Sequence, residues 1–436
     1  MNKISKIAFV GLSHLGLVTS ICTASKHSNV IGLDTDALLV SSLKKGKLPV
    51  YEPGLDKLLG KVEKRISFSN DFSQLASCDV VFFAQDTATD GSGSVDKLNR
   101  LVSLSLPYFK PRAQLIFISQ VPVGYYRQLV RDIKKKKPKL KFSLYHWIDT
   151  LIMTQAIASF LTPSRIIIGM ADPKKPVDDK LKIILNWFDC PVFYMSYESA
   201  EVTKAAINLY LATSVTYANT VADYCEAVGA NIYEIIPALA TDRRIGQFAY
   251  IRPGLKIAGG HLERDLLMLS RLAKKAQINS GVVDFIIKYD RRRFGWLKKQ
   301  LNNHLLSKTK MPKICIWGLS YKPNSASQTG AISQLVIKYL KGKAGLAVYD
   351  PQAKLLENIN WAVQYRNKWQ ALKRADCLII LTPWDEFKTV KISNIVKKMK
   401  DKLVIDPTGL YADREKELDK LRYFSLGFSN QDLSIS

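Results

Sequence analysis

The chain has 436 residues, of which 47% are hydrophobic and 23% charged, so it can bury a large core and divide into two or three domains. Beyond the N-terminal segment, no uninterrupted apolar stretch reaches the roughly twenty residues that a membrane-spanning helix needs. The formal net charge of +26 comes from basic residues scattered along the chain. Because no zinc-finger, RNA-recognition or basic-helix pattern accompanies them, we expect neither a nucleic-acid nor a membrane partner.

The cysteines are spaced too widely for a disulfide framework or a zinc site, and no C-x-x-C pair occurs. This spacing predicts reduced, mostly buried thiols in a cytoplasmic protein that binds no metal. The six positions are Cys22, Cys78, Cys190, Cys225, Cys315 and Cys377.

The first predicted elements are a strand at residues 6–10, a glycine-rich turn, an amphipathic helix and a second strand that ends at Asp34. This order is typical of a dinucleotide-binding βαβ unit. Gly11 would allow the tight turn, and Gly16 would let the helix approach the strand, with the helix N-terminus facing the pyrophosphate. Asp34 would accept hydrogen bonds from the ribose, which favours NAD over NADP. Ser13 replaces the second glycine, and a packing turn without a ligand would give a similar pattern.

Further strand-like runs at residues 79–85, 114–120 and 164–170 alternate with helical stretches. Such alternation predicts a mostly parallel, doubly wound sheet. From about Ser199 the pattern changes to one long helical run that ends at Gly229. A helix this apolar needs partners on more than one face, which suits contacts between domains or between subunits.

A second series of strands, turns and helices begins after Leu301, with strand-like runs in KICIWGLSYKP, GLAVYDP and DCLIILTPW. The predicted fold class is therefore α/β, with two Rossmann-like doubly wound domains joined by a central helical dimerisation domain. We place the NAD-binding domain at residues 1–198, the helical domain at 199–305 and the C-terminal domain at 306–436.

Several distinctive stretches occur in one order over nearly the whole chain. They are GLSHLG, LPVYEPGLDKLL at 48–59, TATDGSGS at 87–94, VPVG at 121–124, FLTPSRIIIG at 160–169, KAAIN at 204–208, RRIGQF at 243–248, GLSYKPN at 318–324, VYDPQA and LTPWDEF. In these motifs the sequence resembles the UDP-glucose/GDP-mannose dehydrogenase family. LPVYEPGL and SYKPN are not general features of Rossmann-like domains.

The resemblance implies NAD in the N-terminal domain, a UDP-sugar-like substrate held with the C-terminal domain, and two successive oxidations of a sugar alcohol to a uronate. It also implies catalytic roles for three residues, Lys204, Asn208 and Asp265. A lysine beside a developing alkoxide and a carboxylate that orients water suit this chemistry. Without a ligand, Lys204 would be an ordinary surface lysine and Asp265 a helix-capping aspartate.

The family comparison extends to other contacts. Leu15, Thr87 and Gln120 match cofactor-binding positions beside Gly11, Ser13, Gly16 and Asp34. Arg244, Gly259 and Lys322 match substrate-binding positions, together with Lys204 and Asn208. The resemblance further implies a homodimer, in which the arginine reaches the partner's substrate, and a pathway that makes polysaccharide precursors.

The family's catalytic cysteine is missing from the stretch PGLKIAGGHLERD at 253–265. In one alignment Leu262 stands at the cysteine position and one residue is absent before Asp265. Without a gap, His261 takes that position. Neither alignment supplies a thiol, so the thiohemiacetal of the second oxidation would be lost. His261 could act as a substitute base or only as a structural hydrogen-bonding group.

Other departures concern the same reaction centre. In the segment 147–154 the family has two glutamates, and the first of them is linked to acid/base chemistry. Asp149 is the one carboxylate left there and by resemblance is a further catalytic residue, whereas Met153 replaces the second glutamate. Ser119-Gln120 replaces a Ser-Thr pair near the nicotinamide, and Thr329 replaces an arginine. The sequence therefore predicts an NAD-dependent dehydrogenase acting on a nucleotide sugar, impaired in its second oxidation. The alternative is an inactive homologue that binds NAD or a nucleotide sugar in a regulatory or structural role.

Overall fold

Short apolar runs form the strands of the chain and amphipathic runs form its helices, as the sequence patterns predict. A computed structural model describes residues 4–87, 94–257 and 260–429. These residues divide into two compact units, of which the first ends at Ile207 and the second begins at Asn208. The division into three domains at residues 198 and 305 stays a prediction.

The first unit contains an eight-stranded sheet, within the described residues, in the order β3-β2-β1-β4-β5-β6-β7-β8. Neighbouring strands are parallel except β6 and β7, which confirms the mostly parallel sheet. The strands are β1 Ile7–Val10, β2 Val30–Leu33, β3 Ile66–Ser69, β4 Val80–Phe83, β5 Ala113–Phe117, β6 Phe142–Trp147, β7 Ile166–Met170 and β8 Val192–Ser196. The helices are α1 His14–Lys26, α2 Ala37–Lys44, α3 Leu55–Val62, α4 Asp96–Ser105, α5 Tyr125–Lys136, α6 Ala156–Leu161 and α7 Asp179–Leu185, with short 3-10 helices at Glu63–Arg65, Phe72–Ser77 and Leu106–Tyr108.

Both faces of this sheet are buried, because helices cover each of them. Alternate side chains of a strand point to opposite faces. Phe9 therefore stacks on Phe82 on one face, with ring centroids 4.6 Å apart, and Phe83 stacks on Phe117 on the other at 4.5 Å. The strand order reverses between β1 and β4, and open α/β sheets bind ligands at the C-terminal ends of such a strand pair.

The long predicted helix is α8, Tyr197–Val228. Gly229 follows it with φ +72°, a left-handed conformation that ends helices and favours glycine. The helical run after Ser199 and its end at Gly229 are confirmed.

The second unit begins with helices and ends with a seven-stranded sheet, within the described residues, in the order β11-β10-β9-β12-β13-β14-β15. Its strands are parallel except for the β14–β15 pair. The helices are α9 Ile232–Thr241, α10 His261–Ala276, α11 Gly281–Leu301, α12 Ile332–Leu340, α13 Lys368–Leu372, α14 Asp385–Lys388, α15 Ile392–Lys398 and α16 Glu415–Leu418, with a π-helical turn at Asn302–Leu306. The strands are β9 Lys313–Trp317, β10 Gly345–Tyr349, β11 Ala362–Gln364, β12 Cys377–Ile380, β13 Leu403–Ile405, β14 Arg422–Ser425 and β15 Phe428–Ser429.

Two Rossmann-like sheets with helices between them in the chain confirm the predicted α/β fold class. Among the described residues, no helix combines the length and the apolar character needed to cross a membrane.

Candidate active site

The glycine turn after β1 has the geometry that the sequence predicts. Gly11 has φ +90°, a conformation that side chains disfavour. A Cβ on Gly16 would lie 1.9 Å from the carbonyl oxygen of Gly11 and 3.0 Å from that of Ala84. Only glycine therefore lets α1 approach the strand ends this closely, which confirms the predicted roles of both glycines in the backbone.

Ser13 connects this turn to the segment after β4. Its hydroxyl donates to the carbonyl of Ala84 at 3.2 Å and accepts from the backbone N–H of Asp86 at 2.9 Å. The N–H of Leu15, in the first turn of α1, donates to the Asp86 carboxylate at 3.3 Å. Sequence reasoning missed Asp86. Its position shortly after a strand that ends at the ligand-binding edge of the sheet could have identified it.

Asp34 lies directly after β2 and is fully buried. One carboxylate oxygen accepts from the N–H of Leu12 at 2.8 Å and the other from the N–H of Asp36 at 3.1 Å. Asp34 thus fixes the glycine turn from the side where the ribose is expected. Its contact with a ribose stays a prediction.

The ends of β4 and β5 bring two further predicted cofactor residues together. The Thr87 hydroxyl donates to the carbonyl of Gln120 at 2.8 Å, and the Ser119 hydroxyl accepts from the N–H of Gln85 at 3.0 Å. The side-chain oxygen of Gln85 is buried and has no hydrogen-bond partner among the described residues. A tight glycine turn, the start of α1 and this unpaired acceptor together fit a dinucleotide at this edge.

Glu52, in the YEPGL motif, joins the glycine turn to the segment 147–154. It is 4% exposed and accepts from His14 at 3.0 Å, from the N–H of Thr154 at 3.0 Å and from the N–H of Ala156 at 2.9 Å. Burial raises the pKa of Glu52, but these hydrogen bonds outweigh it and the pKa is lowered. Glu52 therefore acts as a charged anchor, which explains a distinctive motif that the sequence alone did not.

Lys204 is held by the backbone of Asp149 rather than by its carboxylate. Its ammonium donates to the Asp149 carbonyl at 2.6 Å, whereas the Asp149 side chain accepts from the N–H of Leu151 at 2.8 Å. Burial, with a smaller effect of the Lys204 charge, lowers the pKa of the nearby His146 to about 4. The role of Asp149 as an acid or base stays a prediction.

Asn208 and Asp265 meet in the second unit although 57 residues separate them. The Asn208 amide donates to one oxygen of Asp265, and the Arg264 guanidinium donates to the other at 3.0 Å. All three side chains are buried, at 7%, 1% and 6% exposure for Asn208, Asp265 and Arg264. A buried carboxylate is usually paired with a cation, and Arg264 is that partner here. Sequence reasoning missed Arg264, whose only signal is its place beside Asp265.

The two residues that the alternative alignments predict at the family's cysteine position begin α10. Gly260 precedes the helix with φ +71°, His261 is its first residue and is exposed, and Leu262 is half-buried. Leu262 packs against an apolar cluster that includes Ala212 and Ile257. Gly259, a predicted substrate contact, lies outside the described residues.

Two side chains fix the segment that leads into α10. Asn219 accepts from the N–H of Gly254 at 2.8 Å, and Asp290 accepts from the N–H of Ile257 at 2.6 Å. Asp290 is 8% exposed, and burial raises its pKa to about 6. Asp290 is therefore still mostly ionised at neutral pH, but its carboxylate is less stable in the folded chain than in the unfolded chain.

Replacing Asp290 by asparagine should stabilise the chain at pH 8. Because the folded-state pKa is raised, the contribution of Asp290 to stability is full below about pH 4 and is lost as pH rises through 6, a loss of about 2–3 kcal/mol at most. Asparagine keeps an oxygen that accepts from the N–H of Ile257, but it does not ionise and so adds no dependence of stability on pH. Denaturant unfolding of both proteins from pH 4 to pH 8 measures the difference.

Asp284 on the same helix is the control, because hydrogen bonds from Ser270 and Ser280 lower its pKa. Asp284→Asn should change the pH dependence with the opposite sign, since a lowered pKa contributes stability that is lost as pH falls. Equal pH dependence in the original chain and in Asp290→Asn would show that the Asp290 carboxylate carries no such penalty.

Arg244 and Lys322, the two remaining residues predicted to bind the substrate, each contact a side chain close by in sequence. The Arg244 side chain is 89% exposed and pairs with Asp242 at 2.6 Å. Lys322 lies over the ring of Tyr321, with its nitrogen 5.6 Å from the centroid. Their substrate contacts stay predictions.

None of the cysteine thiols is activated by its surroundings. All six are unpaired, five are buried and Cys190 is half-buried, which confirms the expectation of mostly buried thiols. Burial raises the pKa of every one of them, that of Cys22 to about 12. A thiol with a raised pKa is a poor nucleophile at neutral pH.

The chain is similar to known dehydrogenases over nearly its full length. It is 29% identical to a UDP-glucose 6-dehydrogenase of Rhizobium meliloti (strain 1021), covering 97% of this chain and 99% of that one, and 28% identical to the UDP-glucose 6-dehydrogenase TuaD of Bacillus subtilis (strain 168), covering 97% and 93%. A solved UDP-glucose dehydrogenase from Pyrobaculum islandicum has the same fold, with a TM-score of 0.86 at 23% identity over 98% of both chains.

Family models match the three parts of the chain in order. Residues 5–187 match the NAD binding domain of the UDP-glucose/GDP-mannose dehydrogenase family, residues 198–292 its central domain and residues 315–413 its UDP binding domain. Together with the motifs and the dinucleotide-type turn at Gly11, these matches give the cofactor as NAD. The chain belongs to the UDP-glucose/GDP-mannose dehydrogenase family.

Proposed function

We propose that the protein oxidises an alcohol of a UDP-sugar, with NAD as the hydride acceptor. The observation that carries this proposal is the buried hydrogen bond between Asn208 and Asp265, two residues that family resemblance alone selected. A buried amide and carboxylate whose remaining oxygen is paired with Arg264 form a rigid polar group. Such a group suits the orientation of a substrate hydroxyl or a water molecule.

Lys204 is proposed to stabilise the alkoxide that forms when the sugar alcohol loses its proton. Among the described residues its ammonium donates to the backbone carbonyl of Asp149, and this contact orients the charge without neutralising it. A fixed positive charge next to a developing oxyanion lowers the barrier for the hydride transfer that follows. UDP-glucose is the first sugar to test, because the relatives described above are named for it.

The second oxidation is proposed to be impaired, so that the aldehyde is the main product. The family's covalent step needs a thiolate, and the start of α10 offers His261 and Leu262 instead. The raised pKa of every cysteine in the chain supports the same conclusion.

The test is to measure NADH formation by the purified chain with NAD and a panel of UDP- and GDP-sugars, with products identified by mass spectrometry. Calorimetric titration of the same ligands runs in parallel. One NADH per sugar and an aldehyde product are expected. A uronate with two NADH per sugar would overturn the impaired second step. Tight binding without NADH would instead support the alternative, an inactive NAD- or nucleotide-sugar-binding homologue.

The protein is also proposed to form a homodimer through α8. Three tyrosines spaced seven residues apart, Tyr210, Tyr217 and Tyr224, are 60%, 47% and 69% exposed. A seven-residue spacing keeps side chains on one face of a helix, with a drift of about 20° per repeat. Exposed aromatic rows of this kind are typical of interfaces rather than of solvated surfaces. A second copy of the chain, presenting the same row, is the proposed partner.

Tyr217→Asp should convert the dimer to a monomer, because a carboxylate at the centre of an apolar interface loses its hydration without gaining a partner. Sedimentation velocity at micromolar concentration measures the change in mass. Tyr108→Asp is the matched control, since Tyr108 is 39% exposed and lies outside the tyrosine row. A monomeric original chain, or a dimer that survives Tyr217→Asp, would contradict this interface.

The proposed location is the cytoplasm, where thiols remain reduced, and the six unpaired cysteines support this. The proposed pathway is the supply of sugar precursors for polysaccharides.

A further inference from the structure

We propose that the Asp86 carboxylate occupies the place of the cofactor's pyrophosphate at the N-terminus of α1, and that it weakens dinucleotide binding until it moves away. The proposal concerns an additional residue that sets cofactor affinity. It rests on NAD as the cofactor of the first unit and does not depend on the proposed sugar oxidation.

The contacts of Asp86 place its charge at the first turn of α1. The first N–H groups of a helix have no partner within the helix, and the N-terminal Ser13 makes no side-chain cap bond to them. Asp86 supplies that acceptor, at 3.3 Å from the N–H of Leu15. Its own backbone is fixed on both sides, by the Ser13 hydroxyl at 2.9 Å and by the Gln85 amide at 2.9 Å.

A carboxylate and a pyrophosphate compete for the same helix end. The aligned peptide dipoles and the unpaired N–H groups attract either anion, but the start of α1 can satisfy only one at contact distance. Asp86 is exposed, so its side chain can rotate into solvent. It then gives up its bond to Leu15 and remains close enough to repel the bound phosphates.

A second observation indicates that a ligand completes this turn. Gln85 is 5% exposed, and its side-chain oxygen is buried without a hydrogen-bond partner among the described residues. That oxygen lies 3.2 Å from the point where a side chain on Gly11 would begin. Buried acceptors are almost always paired in folded proteins. An unpaired acceptor directed at the glycine turn is expected where a bound dinucleotide supplies a donor such as a ribose hydroxyl, because the pyrophosphate itself only accepts.

The test uses Asp86→Asn and Asp86→Ala in the full chain, with dissociation constants from calorimetric titration. NAD, NADH and ADP-ribose should each bind about 5- to 50-fold more tightly to both variants, because all three carry the pyrophosphate. Adenosine, which carries none, should bind equally to all proteins. The gain should shrink at high ionic strength, since salt screens the repulsion between exposed charges.

Thermal unfolding without ligand separates this role from a purely structural one. Asp86→Ala removes an acceptor from α1, so its melting temperature should fall while its affinity for NAD rises. Asp132→Asn is the control for net charge, because Asp132 is an exposed residue on α5, and it should change neither quantity.

Unchanged or weaker binding of NAD and ADP-ribose to both Asp86 variants would overturn the proposal, as would a failure of any of the proteins to bind ADP-ribose. If the chain binds NAD but oxidises no sugar, the proposed role of Asp86 is unaffected, because the titrations require no turnover.

Discussion

Replacing Lys204 by methionine will lower the rate of NADH formation about 100- to 1000-fold, as expected for the loss of one preorganised group that stabilises an oxyanion. Methionine keeps most of the apolar stem but has no charge to place beside the alkoxide. Within the part of the chain that the structure describes, the ammonium donates to the Asp149 carbonyl, and a typical bond of this kind contributes only about 1 kcal/mol to folding. Steady-state rates with saturating NAD and UDP-glucose measure the effect.

The control for Lys204→Met is Lys182→Met, which removes an equal charge from an exposed position on α7. Its rate should match that of the original chain. The dissociation constant of NAD should be nearly the same for all three proteins, because the proposed role of Lys204 is to stabilise the transition state. If the rate of Lys204→Met lies within threefold of the original rate, a group other than Lys204 must stabilise the alkoxide.

The backbone of the cofactor site could be predicted from sequence because its requirements are local. A tight turn and a close helix approach each demand glycine, and Gly11 and Gly16 stand a few residues apart in a recognisable pattern. The strands could be predicted for a similar reason, because buried parallel strands are continuous apolar runs in the sequence. The structure confirms both.

The electrostatics of the sites could not be predicted, because each charged group acts on a distant part of the chain. Asp86 is 71 residues from the N–H that it accepts, and Glu52 holds a backbone N–H more than 100 residues away. A single sequence gives the order of such residues but not their partners. Family resemblance placed Asn208 and Asp265 in one reaction, yet it did not indicate the buried Arg264 that balances the charge of Asp265.

Introducing a cysteine at the start of α10 should change the product from aldehyde to uronate and raise the yield from one NADH per sugar to two. The N-terminus of a helix lowers the pKa of a thiol and favours the reactive thiolate. His261→Cys should be the effective variant. His261 is exposed and is the first residue of the helix, and it lies four residues before Asp265, on the same helix face.

Leu262→Cys should restore much less uronate, because Leu262 packs into the apolar cluster with Ala212 and Ile257. Burial there raises the pKa of a thiol, and the smaller side chain costs about 1–3 kcal/mol of stability. Lys275→Cys, in the last turn of α10, is the control for an exposed thiol at the opposite end of the helix dipole. More uronate from Leu262→Cys than from His261→Cys would support the gapped alignment. If neither variant forms uronate, a missing thiol is not sufficient to explain the impaired second step, and the losses at Asp149 and Met153 become the next groups to restore.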